Sequence, residues 1–227
     1  MIFKSLFNLF FPEVCLSCHL ALSDHEMVIC TDCRHHLPIL NNSHNQSDNL
    51  VKKALYGRVN LVDGAALFKF EKKGHIQQLL HELKYKKEKR LSSFFGEWLG
   101  EHLKHSEFFK DIDVVIPVPL HPSKLKQRGY NQVAGFGKAL ADCLDASYND
   151  AVLLKQKSTN SQVFKNRLER WQLNNEMFVT QHLESLEGKH ILLVDDIITT
   201  GATLEACANE LLKAQHIKIS VATIAIA

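Results

Sequence analysis

Two groups of side chains in this sequence have the types and spacing to do chemistry. The first is Val194-Asp195-Asp196-Ile197-Ile198-Thr199-Thr200-Gly201-Ala202-Thr203. Ile191 to Val194 is a short apolar run of the kind that becomes a strand buried on both faces of a parallel sheet, and Gly188-Lys189 supplies the turn before it. The adjacent carboxylates of Asp195 and Asp196 stand where such a strand would end. Small side chains, a glycine and three hydroxyls follow, and Leu204, Cys207, Ala208, Leu211 and Leu212 then fall on one face of a helix. Backbone amides at a helix N-terminus, approached through small residues, attract an anion. The acidic pair beside them would repel a bare phosphate. It suits a ligand with a phosphate at one end and sugar hydroxyls, with a divalent cation, at the other. A ribose 5-phosphate meets that demand.

The second group is Cys15-Leu-Ser-Cys18 and Cys30-Thr-Asp-Cys33. Two Cys-x-x-Cys pairs this close supply four thiolates, the set a tetrahedral zinc ion requires. So short a stretch cannot fold by burial alone, and metal binding would supply the missing free energy. Four sulfurs close the site, which argues for a structural metal and leaves no vacancy for His19, His25, His35 or His36. Disulfides are the alternative, and they do not suit a reducing compartment.

The remaining elements must position these groups. Ala65 to Phe70 reads as a strand, and Ile76, Leu79, Leu80 and Leu83 mark one helix face. Leu91, Phe94, Phe95, Trp98 and Leu99 mark another. Between those helices lies Lys84-Tyr-Lys-Lys-Glu-Lys-Arg90, the densest basic run, read either as a solvated turn or as a clamp on pyrophosphate or a nucleic-acid backbone. Asp113 to Pro119 is a strand that proline stops from extending. The loop His121 to Gln132 carries Lys124, Lys126 and Arg128, and a helix resumes near Val133 with Asn131 as N-cap. A cationic loop after a strand lies where doubly wound sheets bind ligands. Val152 to Asn175 holds several cations, among them Lys155, Lys165 and Arg170, without a clean period and is either a flap over the site or a surface excursion. Ile217, Ile219 and Val221 alternate with Lys218 and Ser220 as a last strand, followed by an apolar tail.

At 227 residues and 45% hydrophobic content, one main domain with a small appendage is expected. The net charge of +2 is too small to imply nucleic acid by itself. No apolar run is long enough to cross a bilayer, and no secretory cleavage site follows the first eleven residues, so a cytoplasmic location is expected. Phe3, Phe7, Phe10 and Phe11 are an apolar face for docking on the next module or for peripheral contact with a membrane.

The stretch Val194 to Thr203 resembles the phosphoribosyl pyrophosphate (PRPP) motif of type I phosphoribosyltransferases. Taken in order, the paired Cys-x-x-Cys motifs, Leu83-Lys84-Tyr85, Ile116-Pro-Val-Pro-Leu120, Arg128-Gly-Tyr-Asn-Gln132, Gln162, Arg170 and the PRPP-like stretch resemble the ComF family of competence proteins and its gluconate-utilisation relatives. Where that family has an asparagine three residues after the arginine matching Arg170, this chain has Leu173, with Asn174 adjacent. The resemblance implies an α/β fold, a Rossmann-like parallel sheet flanked by helices. It divides the chain into a four-cysteine zinc module over 1–40, a linker and first strand over 41–72, and a phosphoribosyltransferase-like domain over 73–227. It implies PRPP held with Mg2+, with Asp195 and Asp196 facing the ribose and Thr199, Thr200, Gly201, Ala202 and Thr203 the 5-phosphate. Lys84, Lys124, Arg128, Gln162 and Arg170 become candidates for pyrophosphate or flap contacts. Two functions follow as expectations. One is phosphoribosyl transfer to an acceptor the sequence does not name, with no general base to point to. The other is a non-enzymatic role in DNA uptake, gripping single-stranded DNA and meeting other competence proteins.

Overall fold

The computed structural model describes residues 12–40, 49–156 and 178–227. Gln162, Arg170, the phenylalanines of the first eleven residues and the polar stretch at 41–48 lie outside the described residues.

The apolar runs form one parallel sheet. Its strands are β1 (Gly64–Lys69), β2 (Val114–Pro117), β3 (Ser147–Tyr148), β6 (His190–Ile198) and β7 (Lys218–Ile226), in spatial order β1-β7-β6-β2-β3. A separate antiparallel pair joins β4 (Leu153–Lys155) to β5 (Phe178–Thr180). β7 and β6 lie inside the sheet and are apolar almost throughout, as strands covered on both faces must be. The tail after Val221 belongs to β7, so the last strand is longer than its alternating part suggests. β6 likewise runs past the acidic pair to Ile198 instead of ending before it, because its backbone stays paired with β7 through Asp195↔Thr223 and Ile197↔Ala225.

Side-chain parity divides the core. Leu192 and Val194 of β6 pack on one face with α3 (His75–Tyr85), α4 (Lys89–Leu103) and α6 (Ala134–Cys143). Ile191 and Leu193 pack on the other with α2 (Leu50–Leu55) and α7 (Ala202–Leu211). α4 and α6 approach closely because Gly96 and Gly100 present no side chain: a Cβ at Gly96 would lie 2.5 Å from the Phe136 carbonyl oxygen, and one at Gly100 2.6 Å from Cys143 Cβ.

Two local expectations change. The cationic segment after β2 is not a loop but a short helix, α5 (Pro122–Arg128), with proline at its start and Gly129 ending it in the left-handed region at φ 79°. α6 starts at Ala134, with Val133 as its N-cap. Asn131 acts two residues earlier: its Oδ1 accepts the Val133 amide at 3.2 Å, while its Nδ2 donates to the Val118 carbonyl at 3.0 Å. It therefore pins the helix entry to the end of β2 rather than capping the helix.

The cysteine module carries α1 (Thr31–His35) and shares a core with the sheet domain. Leu16, Val28, Ile29 and Leu37 join the cluster that holds Leu79 and Phe95. The Arg34 guanidinium lies 4.7 Å over the Trp98 ring, and Ser17 Oγ and His75 Nδ1 are hydrogen-bonded at 2.8 Å. At the end of the module, the Leu40 amide donates to the Leu67 carbonyl at 2.9 Å, which covers the free edge of β1. Among the described residues, no helix is long and apolar enough to cross a membrane.

Candidate functional site

The chain leaves β2 towards β3 on one side and leaves β6 towards β7 on the other. Where successive connections diverge in this way, the C-terminal ends of the two central strands open a crevice. Asp195 and Asp196 sit on β6 at that crevice. Because strand side chains alternate, the two carboxylates project to opposite faces of the sheet. Asp196, 5% exposed, lies on the face of α3 and α6. Its Oδ2 is 2.9 Å from Lys84 Nζ and accepts from Gln132 Nε2 at 2.8 Å, and Gln132 Oε1 in turn accepts from Arg128 at 2.7 Å. This arrangement resolves the basic run 84–90: Lys84 faces inwards to a buried carboxylate, Lys86 and Lys87 occupy the turn, and Lys89 and Arg90 open α4.

Asp195 faces α7 and the β4–β5 pair. Its Oδ1 accepts the Asp196 amide at 2.8 Å. Burial and the neighbouring Asp196 charge push its pKa up to about 7, against the opposing pull of that amide, Lys84 and Lys155. Lys155, at the end of β4, has its own pKa lowered by burial, with Lys124 pushing in the same direction and Asp195 against it. Lysines from two separate elements thus flank the acidic pair, Lys84 on α3 and Lys155 on β4, and Lys124 on α5 adds its charge beside Lys155.

The loop Thr199–Gly201 leads into α7. Gly201 adopts φ 75°, a left-handed conformation in which an L side chain is strained. The loop, with Asp195 and Leu204, lines a cavity of about 30 Å3. The first amides of a helix have no carbonyl partner within it, and that of Ala202 makes only a long contact to Thr200 Oγ1, at 3.4 Å, so the start of α7 offers donors to an anion there. From behind the loop, Arg58 donates to the Thr200 carbonyl at 2.6 Å, to the Ala54 carbonyl, and to Glu205 Oε2 at 3.1 Å.

Of the expected site residues, the structure gathers Asp195, Asp196, Thr199, Thr200, Gly201, Ala202, Thr203, Lys84 and Arg128 around one crevice, with Lys124 exposed on α5 near Lys155. Gln162 and Arg170 lie outside the described residues. Sequence reasoning gives Gln132 no role, although it singles out the Arg-Gly-Tyr-Asn-Gln segment. Arg58 leaves no signal, since it lies far from the motif in sequence and in no basic run.

α5 also abuts the turn after α3. The Tyr130 hydroxyl donates to the Leu83 carbonyl, the Arg128 guanidinium lies 5.6 Å over the Tyr85 ring, and Lys89 Nζ lies 5.3 Å over Tyr130. The two basic segments therefore form one rim beside the crevice, with Tyr85 59% exposed on it.

In the cysteine module, the sulfurs of Cys15, Cys18, Cys30 and Cys33 all lie within 4.8 Å of one another, with Cys18 and Cys30 3.8 Å apart. A regular tetrahedron with zinc–sulfur bonds of about 2.3 Å has its sulfurs about 3.8 Å apart, so the cluster can close on such an ion with small adjustments. The amides of Ser17 and Cys30 point at Cys15 Sγ, at 3.4 and 3.3 Å, and favour its thiolate form. Both Cys-x-x-Cys pairs thus meet at one centre.

The phosphoribosyl transferase domain family matches residues 98–227, more than half of the chain. Over 140 residues the sequence is 29% identical to the DNA utilization protein YhgH of Escherichia coli O157:H7, covering 60% of each chain. Over 114 residues it is 34% identical to the competence protein ComFC of Streptococcus pneumoniae, covering 50% of this chain and 46% of that one. The matched region therefore spans about half of the curated relatives' length. An adenine phosphoribosyltransferase of Saccharomyces cerevisiae aligns at 21% identity and a TM-score of 0.39, over 63% of this chain and 72% of that one.

Proposed function

The chain belongs to the phosphoribosyl transferase domain family, as a ComF-type member with an N-terminal four-cysteine module, and from that premise we propose that it binds PRPP with Mg2+ and transfers the phosphoribosyl group to an acceptor. The observation that carries this reading is the crevice itself. A carboxylate pair, a small-residue loop opening a helix, and lysines from two elements meet at the divergence of two parallel strands.

The roles follow from charge and geometry. The amides and hydroxyls of Thr199–Thr203 hold the 5-phosphate. Asp195 and Asp196 accept hydrogen bonds from the ribose hydroxyls. Lys84, Lys124, Lys155 and Arg128 face the leaving pyrophosphate, where charge builds as the glycosidic bond breaks, so they stabilise the transition state more than the ground state. Lys84 is already committed to Asp196, which gives it a fixed starting position. Mg2+, when bound, neutralises part of the pyrophosphate charge, held largely by the ligand's own oxygens. The acceptor supplies the nucleophile. The four-cysteine module holds zinc in a structural role, since all four ligands are protein sulfurs. Its reduced cysteines go with a cytoplasmic location.

A screen of nucleobase and amine acceptors for pyrophosphate release tests the transfer step. Release by the wild type and its loss in Asp195→Asn/Asp196→Asn is expected. Binding of PRPP without release for any acceptor would make the protein a PRPP-binding factor and not a transferase.

A second reading rests on the basic rim formed by residues 84–90 and α5, with Tyr85 exposed between its cations. Such a surface suits single-stranded DNA, through phosphate neutralisation and base stacking. The names of the relatives, a DNA utilization protein and a competence protein, point the same way and make other competence proteins the natural partners. Filter binding of a single-stranded oligonucleotide over a salt series decides: a steep salt dependence that weakens in Tyr85→Ala supports it, and salt-independent or absent binding excludes it.

A further inference from the structure

We propose that Arg58 is a positioning residue for the anion loop, fixing the orientation of the Thr200–Gly201 peptide so that the Gly201 amide faces the bound phosphate. This deepens the PRPP reading and rests on it. In a trans peptide the carbonyl and the amide point in opposite directions. The Thr200 carbonyl is drawn towards Arg58 at 2.6 Å, and Arg58 does not line the cavity that Thr199 to Thr203 enclose. The amide of the same peptide is thereby directed to the cavity side.

The glycine that allows this orientation also allows its reversal. With Gly201 at φ 75°, a flip of the preceding peptide costs little backbone strain, and it would turn a carbonyl oxygen towards the anion. A fixed contact is therefore needed to hold one orientation, and Arg58 supplies it with a fork of donors that no lysine reproduces. The fork is itself anchored at two more points, the Ala54 carbonyl and Glu205 Oε2 at 3.1 Å. Glu205 lies in the first turn of α7, where a carboxylate is favoured, and its charge offsets the guanidinium so that Arg58 does not draw the phosphate behind the loop. A Cβ at Gly201 would lie 2.8 Å from the Arg58 guanidinium and 2.9 Å from Leu55, so the lock and the glycine fit one another.

Two measurements on Arg58→Met, Arg58→Lys and Glu205→Gln test the assignment. Thr200-Gly201 is the only Thr-Gly pair in the chain, so labelling threonine carbonyls with 13C and glycine amides with 15N isolates a single resonance. In ligand-free protein that resonance should move in Arg58→Met and stay near its wild-type position in Glu205→Gln, which retains the Thr200 contact. Ribose 5-phosphate affinity should fall about tenfold in Arg58→Met, the loss of one well-placed charge-oriented hydrogen bond, and less in Arg58→Lys. Pyrophosphate affinity should stay within about twofold, a split that general loosening of the fold would not produce. An unmoved resonance overturns the proposal, and so does a moved resonance with unchanged ribose 5-phosphate affinity. If the wild type binds no ribose 5-phosphate, the PRPP reading falls and the resonance alone decides whether Arg58 sets the peptide.

Discussion

Replacing Asp195 by asparagine should stabilise the ligand-free protein, by an amount that depends on pH. The carboxyl's pKa stands at about 7 against an ordinary 3.8, raised by burial and by the Asp196 charge. The folded state therefore holds a proton that the unfolded chain gives up at lower pH. Between about pH 4 and pH 7 the folded state binds more protons, so this group's contribution declines as pH rises, and above about pH 7 its full cost is present. About three pK units at about 1.4 kcal/mol each set an upper bound near 4 kcal/mol. Partial exposure of the side chain and the nearby lysines reduce the expected value to about 1–3 kcal/mol. Asparagine keeps an oxygen to accept the Asp196 amide and carries no charge, so it mimics the protonated acid. Urea denaturation of wild type and Asp195→Asn from pH 4.5 to 8.5, with equal m-values, should give a stability difference that is smallest at the acid end, about 1 kcal/mol or less, and grows with pH to a plateau above pH 7. The same logic makes ribose binding tighten with pH up to about 7 and release a proton, because the sugar hydroxyls need the ionised acceptor. A stability difference independent of pH would refute this account of Asp195.

Two further outcomes follow from the packing. Lys84→Met leaves the buried Asp196 with Gln132 as its neighbour and should cost about 1–3 kcal/mol, of which most returns in Lys84→Met/Asp196→Asn; a double-mutant denaturation cycle reads the coupling. Removing the metal with a strong chelator should lower the melting temperature of the whole chain, since the cysteine module shares its core with α3 and α4. In a Trp171→Phe background the emission of Trp98, which Arg34 covers, should shift to the red, and an unshifted spectrum would mean the module does not depend on metal.

The parts of the site that lie contiguous in sequence were legible there. Ile191 to Leu211 reads as strand, acidic pair, loop and helix because burial, turn chemistry and helical period each act over a few residues. The four cysteines were legible because metal chemistry fixes their type and spacing. What escaped was set by distant partners. Nothing within residues 84–90 says that Lys84 alone turns inwards, since its partner Asp196 lies on another element. Arg58 acts on a carbonyl, which leaves no trace in side-chain pattern. The opposite projection of Asp195 and Asp196 follows from strand alternation, but only once the strand is known to continue past them. Lys124 to Arg128 carries no apolar stripe, and the structure has no buried residue on α5, so a helix there showed no period to detect.

The most direct test of the central claim is calorimetric titration of PRPP, with and without Mg2+, into the zinc-loaded wild type and Asp195→Asn/Asp196→Asn. Magnesium-dependent binding by the wild type, lost in the double variant while its fold is retained, is the predicted result. Absence of binding by the well-folded wild type would contradict the PRPP site, and would leave the basic rim as the functional surface of the fold.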